Sequence, residues 1–156
     1  MANEYDLIPA FCFSVEFFND EKTRTESRFQ DVSGIGVELT VEEVEEGGLN
    51  SYVHKLPKRV KQSNLILKRA LSAASSDLIK WAEDAIYDFR FELFSVKVSL
   101  LKLNEKKEYE PAKSWVFTNA YPVKIQYSDL NAKENALVIE TLELAYSSSC
   151  PKKLTE

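Results

Sequence analysis

The strongest constraint on the fold is a two-residue hydrophobic alternation that recurs in short segments along most of the chain. It is clear in residues 11–17, 35–41, 96–100 and 121–127, where apolar side chains alternate with polar or small ones. This period is typical of a β-strand that buries one face. The segments lie too close together for the helical crossovers that parallel strands need. We therefore predict a mainly β protein, an antiparallel sandwich or barrel of about seven or eight strands.

A single segment departs from this pattern and predicts one flanking α-helix. Across residues 75–87 the apolar side chains recur at helical spacing, and either Ser75 or Ser76 can cap the N-terminus. The predicted core-facing stripe consists of Leu78, Ala82, Ala85 and Phe89. Trp81 is expected at the margin of this stripe. A stripe of this kind indicates core packing rather than a cofactor site.

The chain length indicates one domain with its own core. A chain of 156 residues can bury enough apolar surface to fold without disulfides or metals. We predict an N-terminal arm over residues 1–10, the β domain over 11–150 and a polar C-terminal tail over 151–156. Residues 19–28 are expected to form a turn or hairpin loop, and residues 137–146 the last long strand, which Pro151 ends.

Composition and motifs exclude several classes of function. The formal net charge of -5 and the pI near 5.1 do not suit general nucleic-acid binding. His54 has no companion nucleophile, and Cys12 and Cys150 have no ligand spacing, so no catalytic, metal or cofactor residue is predicted. Cys12 is expected to be a buried free thiol. Gly34 and Gly36 lack the rest of a phosphate-binding loop, which favours a packing or bulge role.

The sequence predicts neither a membrane helix nor a secretory signal. No apolar run approaches the roughly 20 residues of a membrane helix. The first residues do not show the basic region and apolar core of a secretory signal. We therefore expect synthesis in the cytoplasm, with any exit from the cell by another route.

The segment from Asp31 to Arg69 has its charges sorted by sign. Acidic residues follow the alternating strand, then a glycine pair, then basic residues, and a second strand pattern begins near Leu65. The candidate self-association residues are Glu42, Glu43, Glu45, Glu46, Gly47, Gly48, His54, Lys55, Lys58, Arg59 and Lys61. We predict a long inter-strand loop, because Pro57 is unsuited to a central strand. Acid and base could pair within one chain across a hairpin, or between neighbouring copies; periodicity leaves both alternatives open.

Several runs, taken in order, resemble one protein family. They are Val32-Ser-Gly-Ile-Gly-Val-Glu, His54-Lys-Leu-Pro, Asn64-Leu-Ile-Leu-Lys-Arg, Trp81 on the helix, Trp115-Val-Phe-Thr-Asn-Ala-Tyr-Pro and Asn135-Ala-Leu-Val-Ile-Glu-Thr-Leu-Glu-Leu. Together they resemble the tail-tube proteins of contractile-tailed phages and of phage-derived contractile injection systems. Two positions depart from the family pattern: Ala70 replaces a common glycine and Tyr121 a common tryptophan.

The resemblance implies a structural, non-enzymatic protein that needs no cofactor. Six copies would close into a ring, and rings would stack into a hollow tube inside a contractile sheath, on a baseplate hub or tube initiator. Effector cargo or nucleic acid would be only a passive passenger in the lumen. The particle would be a phage tail or a tail-like injector, released or anchored to an envelope. No segment for direct membrane insertion is implied.

Within this resemblance, residues 42–61 correspond to the loop that reaches the adjacent ring. We expect this loop to be poorly fixed in a lone subunit and ordered in a stack. Two other functions stay open. One is a tube-initiating ring near the baseplate, and the other is a stand-alone β-sandwich module that binds a ligand or peptide.

Overall fold

A computed structural model describes residues 12–21, 23–26, 29–44, 47–48, 53–72, 76–104, 106–131 and 137–152. These ranges contain ten strands and one helix. In chain order they are β1 Phe13–Phe18, β2 Thr23–Glu26, β3 Asp31–Ser33, β4 Val37–Val44, β5 His54–Gln62, β6 Leu65–Ala70, α1 Asp77–Tyr87, β7 Phe94–Leu103, β8 Tyr109–Tyr127, β9 Ile139–Ala145 and β10 Ser148–Lys152. The predicted mainly β, antiparallel fold with one helix is confirmed. The predicted arm over residues 1–10 lies outside the described residues.

β8 organises the topology because it is long enough, at 19 residues, to belong to two half-sheets. The strand order is β2-β1-β7-β8-β9-β6-β3, and all neighbouring strands for which a register is resolved are antiparallel. Tyr109 to Ala120 pair with β7, and Tyr121 to Tyr127 pair with β9. β10 pairs with the first part of β8. We call β8–β9–β6–β3 the second half-sheet.

The two half-sheets share one core, to which α1 also contributes. Their buried apolar side chains include Val15, Phe17, Val96, Val98 and Phe117 on one side and Leu65, Leu67, Leu142 and Leu144 on the other. Leu78, Ala82 and Ala85 of the helix are buried as predicted. Ser76 is the N-cap, and its hydroxyl accepts a hydrogen bond from the backbone N–H of Leu78 at 3.2 Å. Ser75 lies outside the described residues.

Two predictions about the helix are wrong. Trp81 is buried in the core, where its ring packs edge-on against the rings of Phe17 and Phe94. The centroid distances are 6.0 Å and 5.2 Å. Its Nε1–H donates to the carbonyl of Glu92 at 2.8 Å, so the polar end of the indole is satisfied inside the protein. Phe89 is exposed because the helix ends at Tyr87, and the φ of Phe89 is +55°.

Three short strands lie where the sequence shows no clear alternation. β2 occupies part of the predicted turn at residues 19–28 and forms a hairpin with β1. The prediction that Pro151 ends the last strand is also wrong. β9 ends at Ala145, and Pro151 lies within β10, paired with Trp115. β10 pairs with β8 alone among the described strands, and such edge positions tolerate proline.

The β7–β8 register shifts at the two adjacent leucines, Leu100 and Leu101, where the pairing is irregular. Both cysteines are free. Cys12 is only half-buried, whereas the sequence predicted burial, and Cys150 is exposed.

Gly34 has the packing role that the sequence predicted. Its φ is +83°, and a Cβ at this position would lie 2.0 Å from the backbone oxygen of Asn64. We expect Gly34→Ala to lower the free energy of unfolding by about 3 kcal/mol, because the backbone strain and the clash add. Thermal unfolding measures this loss. Gly36→Ala is the matched control, because a Cβ at Gly36 would meet no atom within 4 Å. Equal stability of the two variants would contradict the packing role.

A buried ion pair between β6 and β9 was not predicted. Arg69 faces Glu140 across the strands, and its Nε–H donates to Oε2 at 2.7 Å. Arg69 also lies over the ring of Phe29, with its guanidinium carbon 6.0 Å from the ring centroid. The other carboxylate oxygen, Oε1, is buried and has no hydrogen-bond partner among the described residues.

Candidate self-association surface

β4 and β5 form a two-stranded antiparallel ribbon, hereafter the ribbon, that stands apart from the half-sheets. Among the described elements, these two strands pair only with each other, and Gln62 at the base of the ribbon donates from Nε2 to the hydroxyl of Ser149 at 3.3 Å. Ser33 faces Ile66 in the β3–β6 pair and Val37 faces Gln62 in the ribbon, so the ribbon continues that pair in the same register. Most of the predicted loop over residues 42–61 is therefore strand, up to Val44 and again from His54.

Pro57 does not prevent this pairing because the ribbon is irregular beside it. Thr40 faces Arg59 and Val41 faces Pro57, so Lys58 is an extra residue on β5. A bulge in an exposed ribbon is a position where the missing N–H of proline has little effect. The hydroxyl of Thr40 holds the strands together beside the bulge. It donates to the carbonyl of Arg59 at 2.7 Å and accepts from the Arg59 N–H at 3.2 Å.

One face of the ribbon is apolar and uncovered. Leu39 faces Val60 across the strands, and the strand period places Val37 and Val41 on the same face as Leu39. These four side chains are each more than half exposed. Exposed apolar patches of this kind mark interaction surfaces, and an isolated two-stranded ribbon is only marginally stable in water. The ribbon therefore has the properties of a surface that is buried by another molecule.

Charged residues occupy many of the other positions of the ribbon and make pairs within the chain. The Nζ atom of Lys58 lies 3.3 Å from Oε2 of Glu42, and the Nζ atom of Lys55 lies 3.5 Å from Oε1 of Glu43. Side chains in both pairs are more than half exposed, so each pair contributes at most about 1 kcal/mol to the protomer. These cations stay available to a partner because water screens such weak pairs.

The remaining candidate residues take different positions on the ribbon. Lys61 faces Glu38 and His54 faces Val44. Gly47 and Gly48 form a turn at the tip, where Gly48 has a φ of +109°. Glu45 and Glu46 lie outside the described residues. The arrangement groups the described candidates on one ribbon but brings no nucleophile and base together.

The described part of the chain also shows no cluster of three or more His, Cys, Asp or Glu side chains that could hold a metal ion. Within that same part, no helix is long and apolar enough to cross a membrane.

A comparison with protein families gives the decisive observation for this fold. The model of the T4-like virus tail tube protein gp19 family matches residues 9–149. The chain belongs to this tail tube family. A comparison with curated protein sequences finds no match.

Solved structures show the tail tube fold in related assemblies. The chain is 28% identical to a protein in the six-fold symmetrised anti-feeding prophage baseplate, with a TM-score of 0.81, covering 92% of this chain and 94% of that one. A protein of the PVC sheath–tube complex, from an extracellular contractile injection system in its extended state, is 22% identical (TM-score 0.77; coverage 97% and 95%). Hcp1 from Flavobacterium johnsoniae is 19% identical (TM-score 0.52; coverage 88% and 94%). The last two likenesses concern the fold.

The apolar face of the ribbon was not predicted from the sequence of this tail tube protein, because the candidate residues were chosen by charge. The alternation from Ile35 to Val41 was visible, but it was assigned to a half-buried strand of the domain. Ile35 does pack against the core, whereas Val37, Leu39 and Val41 extend beyond it. The glycines at 34 and 36 are the sequence signal that could have separated Ile35 from Val37, Leu39 and Val41, because the chain leaves the core in this segment.

Proposed function

We propose that this tail tube protein is a structural, non-enzymatic protomer whose copies close into six-membered rings that stack into a hollow tube. The family match supports the tube, and the likeness to a protein of a six-fold symmetrised baseplate supports the ring size. The edge strands β2 and β3 end the strand order, so their free sides can pair with neighbouring copies in a ring.

The observation that carries this proposal is the uncovered apolar face of the ribbon. A protomer that stacks on copies of itself leaves these four side chains exposed for the next copy, and the family match favours this use over a stand-alone module. Contacts between two different surfaces of one protein generate rings or filaments rather than closed dimers. The function follows from this geometry together with the family.

Native mass spectrometry of the purified chain tests the ring. We expect a species with about six times the protomer mass of 17.8 kDa, since a closed ring is the proposed unit. A monomer at every concentration would contradict the proposal and favour the stand-alone module.

The proposed partners follow from the same assignment. Related proteins occur in a sheath–tube complex, a baseplate and a tube-terminating cap. We infer that this protomer is likewise enclosed by a sheath and nucleated at a baseplate, with any cargo as a passive passenger. Residues 11–150 would be the assembling unit, with residues 1–10 as an arm. Assembly into a tail or tail-like particle would follow synthesis in the cytoplasm.

A second candidate function is a tube-initiating ring, which forms one layer at the baseplate. The likeness to a protein of the anti-feeding prophage baseplate favours it. Purified protein that forms rings but never tubes would support this role over that of the main tube.

Reversing the basic charges of β5 is expected to weaken stacking while leaving the protomer folded. In Lys58→Glu with Arg59→Glu, like charges would oppose the contact between rings, and such charges set registry between partners. The protomer loses only the exposed Lys58–Glu42 pair. Electron microscopy should show shorter tubes or rings alone.

The matched control makes the same charge change at Lys106 and Lys107, which lie in the exposed turn before β8. We expect normal tubes from this control. Full-length tubes from the Lys58 and Arg59 variant would rule out a role for these charges in stacking.

A further inference from the structure

The second half-sheet has two ends, and the ribbon leaves from one of them. At that end Leu65 faces Leu144. At the opposite end Ala70 faces Ile139, and Tyr127 faces Glu140. The six residues of β6 place these ends about 17 Å apart at the usual strand rise.

Four exposed apolar residues, hereafter the far-end patch, lie on chain segments that meet at the end opposite the ribbon. It consists of Leu71, Tyr127, Leu130 and Leu137. Backbone hydrogen bonds of 2.8 Å, from Leu71 to Val138 and from Ser128 to Ile139, hold its segments together at one edge. Leu130 is 81% exposed and Leu137 is 73% exposed. Leucines are seldom so exposed in a group without a partner.

We propose that the far-end patch receives the apolar face of the ribbon from a second copy of this chain. The inference rests on the proposed function, and it names the surface that the ribbon binds. Copies stacked in one direction need two different surfaces, because each copy meets its two neighbours at opposite ends. The ribbon and the far-end patch are both apolar, both uncovered and placed at opposite ends of the same half-sheet.

Reach and charge support this pairing. β4 has eight residues, so the ribbon extends about 24 Å at the usual rise and can pass beyond its own protomer. Its β5 strand carries four cations, of which Lys55, Lys58 and Lys61 already pair with or face a carboxylate of β4. Arg59 faces Thr40 and is therefore the cation best placed to meet a carboxylate of a second copy. Carboxylates accompany the far-end patch. One is Asp129, which precedes Leu130. The pKa of Tyr127 is raised mainly by burial, and then by the negative charges of Glu140 and Glu83 nearby.

A second exposed cluster does not fit as the receiving surface. The ring of Phe91 packs against Phe89 at 5.0 Å and against Tyr121 at 5.8 Å. Tyr121 faces Ala145, which lies beside Leu144 at the end where the ribbon itself leaves. A head-to-tail stack places the acceptor at the other end, so the far-end patch is the better match.

Two variants and their mixture test the pairing. Leu130→Asp with Leu137→Asp disables the far-end patch and keeps the ribbon, whereas Leu39→Asp with Val60→Asp does the reverse. Each variant alone should form rings that do not stack. Preformed rings of the two kinds are then mixed in equal amounts. The ribbon of a patch-variant ring can bind the intact patch of a ribbon-variant ring, but the remaining surfaces of that pair are both disabled. We therefore expect two-ring particles that grow no further, counted by mass photometry and electron microscopy.

The conservative pair Leu130→Met with Leu137→Met is the control, and it should form tubes because the patch stays apolar. Circular dichroism melting checks folding, and Leu130→Ser with Leu137→Ser repeats the test if aspartate unfolds the protein. Full-length tubes from the aspartate or serine variant would overturn the inference, as would a mixture of folded rings without two-ring particles. A wild-type chain that forms no tubes would instead contradict the proposed function.

Discussion

Leu39→Asp with Val60→Asp is expected to abolish tube formation and leave folded rings. These residues face each other on the uncovered side of the ribbon, so the substitutions place two carboxylates where stacking buries apolar surface. An unpaired buried charge costs several kcal/mol, about 3–5 in typical cases. Every protomer of a ring carries this cost, so association between rings should fall by well over a hundredfold. Electron microscopy and sedimentation measure the loss directly.

The control for this variant keeps the face apolar. Leu39→Ile with Val60→Ile preserves hydrophobic area and favours strand geometry, so we expect tubes of normal length. The protomer itself should melt normally in both variants, because neither side chain contacts the core. Tubes from the aspartate variant would show that the apolar face has no part in stacking.

Arg69→Met is expected to have the largest effect on protomer stability. It leaves Glu140 buried with neither carboxylate oxygen paired to a cation, and breaking a buried pair from one side costs about 3–5 kcal/mol. The melting temperature of a domain of this size should fall by about 10 °C. Urea unfolding of the wild type and the variant gives the free-energy difference.

Two companion variants distinguish the cost of leaving a charge buried from the cost of losing an ion pair. Arg69→Met combined with Glu140→Met removes both charges and should recover part of the lost stability. Lys102→Met breaks an exposed pair with Glu110 (3.1 Å) and should cost less than about 1 kcal/mol. An Arg69→Met variant as stable as the Lys102→Met variant would contradict a structural role for the buried pair.

The sequence predicted most strands because their alternation is local. β1, β7 and β9 each bury one face against the common core, so the pattern of side chains and the pattern of burial agree. β2, β3 and β10 were missed because three to five mainly polar residues show no period. They are strands because a neighbouring strand offers them hydrogen bonds, which is a tertiary effect.

The candidate self-association residues were chosen by their charges, and their predicted local structure, a loop, is wrong. Pro57 and the basic residues indicated a loop, whereas pairing with β4 makes them a strand with a bulge. The alternation at Val37, Leu39 and Val41 predicted a buried face, but nothing in the sequence says whether the covering surface belongs to the same chain. Arg69–Glu140 and the place of Trp81 depend on contacts between distant segments, which a local pattern does not contain.

Negative-stain electron microscopy of the purified wild-type chain tests the central claim most directly. The claim is that the chain is a tube protomer whose rings stack through the ribbon. We predict that the wild type forms six-fold rings together with hollow tubes built from them. Under the same conditions, Leu39→Asp with Val60→Asp should form only rings. A field of uniform monomers, or equal tubes from the wild type and this variant, would contradict the claim.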